Sequence, residues 1–229
     1  MRKGRLILIP TPLGEGSEQP ASAVINTLSH FIVETPRSAR RALRGIGFTG
    51  DFDKTDMQTF ADEAQAHDVT SLLAPIEEGH DIGLLTDAGC PGIADPGAEI
   101  VRMAHSKGIR VVPLAGSSSI TLALTASGLN GQSFAFNGYL PINDKERKQA
   151  LRELERRAAT GQTQIFIEAP YRNNQLFKAI VGSCHEDTLL CVASELTLSD
   201  EFIRTRTVGE WKKDLPDLNK RPAVFLIGR

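Results

Sequence analysis

Cysteine is scarce: three residues in 229, Cys90, Cys184 and Cys191, with no CxxC pair and no metal-type spacing to the five histidines. That argues against a disulfide framework and against a zinc site built on paired thiolates, and it leads us to expect a reducing, cytoplasmic setting and no metal. Charge of one sign is scarce as well. The formal net charge is -2, so the chain as a whole is no polycation for nucleic acid. Long apolar runs are absent too. The basic start "MRKGRLILIPTP" carries an apolar run at residues 6–9, too short for a signal peptide, and nothing approaches the ~20 apolar residues that cross a bilayer. No repeat and no low-complexity segment interrupts the chain.

What is present is enough hydrophobic residue, 41%, to bury a core, with 24% charged. Residues 1–112 carry 11 basic and 15 acidic groups, the remainder 15 and 13, so the second half is slightly basic. Apolar runs alternate with helical patterns. "RLILIP", "FIVE", "DIGLLTD" and "IRVVPLAG" read as strands. "ASAVINTLSHF", with Val24, Leu28 and Phe31 at helical spacing, "RSARRALRGIG", "DVTSLLAPIEEG" and "GAEIVRMAHSKG" read as helices. Non-alternating strands between helices imply a parallel sheet covered on both faces. Beyond "SSITLALTASGL", another helix, the pattern becomes richer in strands. "SFAFNGYLP", "TQIFIEAP", "TLLCVASEL" and "RPAVFLIGR" join an extended "FIRTRTVGEW" and the amphipathic helix "NDKERKQALRELERRAATG", which turns Ala150, Leu151, Leu154 and Ala158 to one side. The expectation is an α/β chain of two domains, 1–113 with a mainly parallel sheet and 114–229 with a mixed one.

One stretch resists both helix and strand. "TDAGCPGIADPG" packs three Gly, two Pro and two Asp into residues 87–97, straight after an apolar run. Bare loops also follow the first strand ("PTPLGEG") and the strand at Val111 ("PLAGSSSI"). In an open α/β sheet such loops share the carboxyl edge of the strands, where a ligand approaches the backbone. Turn punctuation alone explains one such loop better than three on one edge.

"TDAGCPGIADPG" followed by "GIRVVPLAGSSSITLALTASGL" resembles the class III S-adenosylmethionine-dependent methyltransferases, the tetrapyrrole methylase fold. Within them it is most similar to the ribosomal RNA small subunit methyltransferase I branch, which 2'-O-methylates a cytidine ribose. "IPTPLG", "ETPRSARRAL", "NGYLP", "IFIEAPYR", "SELT" and "RPAVFLIG" carry the resemblance along residues 6–228. The chain departs from that branch at "GEGSEQP", "ETPR" and "LAGSSS", and it stops at Arg229 without the branch's usual C-terminal extension. The resemblance implies a homodimer and an S-adenosylmethionine site in a cleft between the two domains. Its contacts would be Pro12 and Leu13, then Asp87, Gly89, Cys90, Pro91 and Ile93, then Ser118 and Ser119, and at strand ends Glu168, Ala193 and Ala223.

Methyl transfer from a sulfonium needs in-line placement, and a hydroxyl acceptor needs a base. Glu168, at the end of "QIFIE", is the carboxylate best placed for that. Arg172 four residues on would pair with it or hold a phosphate, and the alternative is that the two form a structural ion pair. Glu195 in "ASELT" has the same profile. Arg37, Arg40 or Arg41, and Arg44 share one helical face behind Glu34 and make a candidate phosphate patch, or a solvated face. Asp87 competes with a turn-stabilising role, and Ser118 and Ser119 with helix capping. Cys90 reads as a small residue that fits its loop. Trp211 and Tyr139 read as packing residues, with base stacking as the other role for Tyr139. The expected activity is thus methylation of structured RNA, with rRNA or a ribosomal subunit as partner. A tetrapyrrole-type small-molecule methylase and a non-catalytic ribosome-associated cofactor binder are the rivals.

Overall fold

The computed structural model describes residues 3–13, 22–60, 69–94 and 96–229. They form two compact units, Met1–Ser118 and Ser119–Arg229. In the first unit the strands are β1 (Arg5–Leu8), β2 (His30–Val33), β3 (Asp56–Thr59), β4 (Ile82–Leu85) and β5 (Arg110–Pro113). The helices are α1 (Ser22–Ile25), α2 (Pro36–Gly45), α3 (Val69–Leu72), α4 (Ala74–Glu77) and α5 (Ala98–Ser106). The strands lie in the order β3-β2-β4-β1-β5 and all paired neighbours are parallel.

The pleat sorts the apolar residues to two sides. Ile7, Phe31, Val33 and Leu85 pack with Ala39 and Leu43 of α2, while Leu6, Ile32, Ile82 and Leu84 pack with Ile76 of α4 and with Ile100 and Ala104 of α5. Both faces are therefore covered, as non-alternating strands require. The chain leaves β1 toward β2 on one side and leaves β4 toward β5 on the other, so the strand order reverses between β1 and β4. Open parallel sheets bind ligands at such a reversal.

The second unit opens with α6 (Ser119–Ser127), β6 (Phe134–Tyr139), α7 (Asp144–Ala159), β7 (Thr163–Ile167) and α8 (Asn173–Ser183). It continues with β8 (Leu189–Ser194), β9 (Phe202–Thr207), α9 (Val208–Trp211) and β10 (Ala223–Gly228). The sheet order is β6-β7-β10-β8-β9, with β6 and β7 parallel and the other pairs antiparallel. Helices α7 and α8 cover one face through Leu151, Leu154, Phe177 and Ile180, and α6 covers the other through Ile120, Ala123 and Leu124. Trp211 is buried in the first of these cores and donates its indole N–H to Leu190 O at 2.9 Å.

Several sequence expectations are corrected. The unit boundary falls after 118 instead of 113, because 114–118 remain tied to the first sheet. Leu114 N donates to Leu8 O at 2.9 Å, and Gly116 lies so close to Pro10 that a Cβ would stand 2.3 Å from its Cβ. The helix expected from "ASAVINTLSHF" is only α1; Phe31 belongs to β2. The Asn26 side chain there bonds Gly47 O and takes the Thr49 N–H, so its polar group serves the neighbouring loop and not a longer helix. The helix in "DVTSLLAPIEEG" breaks at Leu73 ahead of Pro75. On α7 the fourth buried residue is Arg147, with Ala150 only half-buried.

Candidate functional site

The carboxyl edge of the first sheet is built where β1 and β4 end. Thr11 N donates to Gly89 O at 2.8 Å and Gly89 N returns a bond to Thr11 O at 3.1 Å, joining the two loops at the strand-order reversal. The Thr11 hydroxyl adds a third bond to Gly89 O at 3.3 Å. Gly89, Gly92 and Gly97 have φ of 79°, 80° and 112°, in the left-handed region that side chains disfavour, so the loop needs its glycines. At Gly89 the space a Cβ would occupy meets only Leu13, 3.8 Å away.

Around this bare backbone stand exposed Asp87, half-buried Pro12, Leu13 and Cys90, buried Pro91, and Ile93 with 47% of its surface open. The Cys90 thiol reaches Ser117 O at 3.6 Å, which brings 114–118 to the same edge; Ser118 is buried there. The side chains at this edge suit an adenosyl group, with an apolar contact at Ile93 and a carboxylate at Asp87 for a hydroxyl, while the amides of Asp87, Gly89, Gly92 and Ile93 are already bonded within the unit. The remainder of the "GEGSEQP" loop, 14–20, and Asp95 lie outside the described residues.

Glu34, expected as a substrate contact, follows β2 at this edge. Its Oε2 accepts the Asp87 N–H at 3.0 Å, and Thr35 Oγ1 donates to Asp87 Oδ2 at 3.0 Å. "ETPR" therefore positions the central loop. Thr35 and Thr11 are the residues that sequence reasoning missed here; their place, next to a strand end and flanked by proline, is the signal.

The arginine face divides. Arg37 and Arg41 are exposed, and neither makes an ion pair among the described residues. Arg44 lies at the other end of α2, donates to Phe48 O at 2.6 Å and stacks 4.2 Å from the Phe52 ring centre. It closes the helix terminus, apart from the exposed pair Arg37 and Arg41.

The second unit presents its own edge, formed by the ends of β6, β7 and β8 and the start of β10. Tyr139 pairs with Ile167, one residue before Glu168. The Glu168 side chain is 1% exposed, and its Oε1 accepts from Ala169 N at 2.7 Å and Arg172 Nη2 at 2.6 Å. The structural ion pair is therefore formed, and both of these donors meet the same oxygen. The hydrogen bond it donates to Glu168, with smaller contributions from Tyr171 and Tyr139, pushes the Arg172 guanidinium up from its ordinary value and keeps it a cation. Arg172 Nη1 also bonds the Tyr171 hydroxyl at 3.1 Å.

Ser119 begins α6 and is half-buried. Ala193 is fully buried against the α6 side of the sheet and its strand is paired on both sides, so it presents no surface to a ligand. Ala223 sits opposite Ser194 at the edge. Glu195 and Thr197 hold φ of 53° and 69°, and the Thr197 hydroxyl is buried without a partner. Two strained residues in three mark "SELT" as a held turn that spacing alone did not reveal. Glu195 lies 3.6 Å from Arg221.

Residues 21–212 match the family of Tetrapyrrole (Corrin/Porphyrin) Methylases. A ribosomal RNA small subunit methyltransferase I of Escherichia coli O157:H7 is 33% identical over 98% of this chain and 78% of its own length. Another protein of that name, from Vibrio cholerae serotype O1, is 31% identical over 97% of this chain and 76% of its own. Among solved structures the methyltransferase CobJ shares the fold, with a TM-score of 0.63 over 99% of this chain and 94% of that one at 15% identity. The chain belongs to the tetrapyrrole methylase family, with the ribosomal RNA small subunit methyltransferases I among its relatives, and is an S-adenosylmethionine-dependent methyltransferase.

Proposed function

We propose that this methyltransferase modifies ribosomal RNA at a ribose hydroxyl, works in the cytoplasm and forms a homodimer. The observation that carries the reading is likeness over nearly the whole chain to relatives named for small-subunit rRNA. S-adenosylmethionine supplies an electrophilic methyl group on a sulfonium. In the first unit Pro12, Leu13, the Asp87 carboxylate and the apolar Ile93 would hold its adenosyl part, with Ser118 at the same edge. Arg37 and Arg41 would take RNA phosphates.

In the second unit Arg172 fixes the Glu168 carboxylate. Its Oε1 already accepts two donors, so a proton from a hydroxyl acceptor would go to the other oxygen, Oε2. The tetrapyrrole-type alternative rests on the family match and the shared fold, with no relative named for rRNA behind it. Nucleoside analysis of rRNA from a strain lacking this gene, against its parent, tests the reading: loss of one 2'-O-methylated nucleoside, restored by the gene, is expected. Unchanged rRNA would overturn it.

A further inference from the structure

The chain has two tyrosines, and both stand exposed at the second unit's edge. Tyr139 is 59% open and Tyr171 66%, and Ile142, also 66% open, lies nearby. Tyr139, 140–142, Ala169 and Arg172 line an open groove of about 640 Å³. Tyr171 lies beside it: the Arg172 guanidinium is 5.1 Å from its ring centre and bonds its hydroxyl. Arg172 is in turn held by Glu168, so the cation cannot swing away without losing a 2.6 Å bond.

A second cation comes from the loop before β10. Lys220 N donates to Pro170 O at 3.0 Å, next to Tyr171, and Lys220 is exposed with φ of 60°. That loop is pinned to α8 by Asn174, which bonds Asp217 at 2.8 Å and the Leu218 N–H at 2.7 Å. Buried Arg147 holds the Ile142 carbonyl at 3.2 Å and so fixes the other wall.

Resting on the RNA reading above, we propose that Tyr139 and Tyr171, with Arg172 and Lys220, form a stacking platform for one unstacked base of a single-stranded RNA segment. Open aromatic faces beside a fixed guanidinium, with a lysine on the adjoining loop, are the chemistry by which proteins hold splayed-out bases and their phosphates. A second copy of this chain is the poorer occupant. Three partly open side chains offer roughly 400 Å², against the ~800 Å² per partner of a stable interface, and two cations border them.

The test uses the full chain, unmodified small ribosomal subunits from a strain lacking this gene, and radiolabelled S-adenosylmethionine. Tyr139→Ala and Tyr171→Ala should each lower kcat/KM for the subunit by about 5- to 100-fold. Tyr→Phe at the same positions should stay within about threefold, because the ring and not the hydroxyl does the stacking. Cofactor affinity by calorimetry, the melting temperature and the mass by light scattering should be those of the parent. Alanine variants with parental kcat/KM would overturn the platform, as would equal losses in the Phe and Ala variants. A halved mass in the Ala variants would assign the patch to a second copy. If the parent protein itself transfers no methyl group to the subunit, the RNA reading fails together with the platform, and that arm separates the two failures.

Discussion

Three residues of one type, the cysteines, show how differently one side chain behaves at three sites. Burial pushes the Cys184 thiol up to about 12 and raises that of Cys191, so both stay protonated and unreactive. Cys90, half-buried in the central loop, is the one with access to solvent. Iodoacetamide at about pH 8 should therefore label the native protein once, at Cys90, and bound cofactor should slow that labelling; mass spectrometry of the digest checks both. Glu168 allows an equally local test. Glu168→Gln keeps the shape but weakens the hold on Arg172, so the structure leads us to expect a lower melting temperature together with slowed transfer. Parental melting with slowed transfer would leave Glu168 as base alone, and parental values for both would turn attention to Glu195.

Helix α2 carries two kinds of arginine, and substitution should separate them. Arg44→Ala removes a bond to Phe48 O and the stack on Phe52, at a cost of about 1 kcal/mol in stability without altering RNA binding. Arg37→Ala with Arg41→Ala should leave the melt unchanged and flatten the salt dependence of RNA affinity by close to ~1 per lost phosphate contact. Urea melts and binding at several salt concentrations check the contrast. In β4, Gly83→Ala would set a Cβ 2.7 Å from Phe31 and 2.8 Å from Ile9, and should destabilise the first unit by about 1–3 kcal/mol.

At this scale much of the molecule was legible in the sequence. Buried on both faces, β1, β2 and β4 leave an unbroken apolar run, and the central loop is legible because Gly89, Gly92 and Gly97 answer three of its left-handed positions. β3, "DMQT", was not legible, because an edge strand with a mostly polar sequence carries no pattern. Nor was α8, whose asparagines and Gly182 mask its apolar face until Leu176, Phe177 and Ile180 meet the sheet. The roles of Glu34 and Arg44 could not be read at all, since each is decided by a partner distant in sequence or by a ring placed through tertiary packing.

For the whole molecule, acid should loosen the exposed ion pairs of the second unit. Asp144 beside Lys148 and Arg147, Glu186 beside Lys212, Glu210 at the Thr207 cap and Asp217 beside Asn174 are all held below the ordinary carboxylate range. Glu153, between Arg156 and Arg157, is pulled from 4.5 to about 2. A depressed carboxylate stabilises the fold fully above its unfolded value, and the contribution fades as the pH falls toward its folded value. Amide exchange in 119–229 should therefore rise as the pH falls from about 4.5 to 2; unchanged exchange there would contradict this.

The paired bonds between Thr11 and Gly89 carry a kinetic consequence. Two loops 78 positions apart in the chain cannot fray independently, because releasing either amide surrenders both bonds. Their exchange rates should share one opening event, and a molecule settling on one loop should slow exchange at the other. The two loops thus work as one latch.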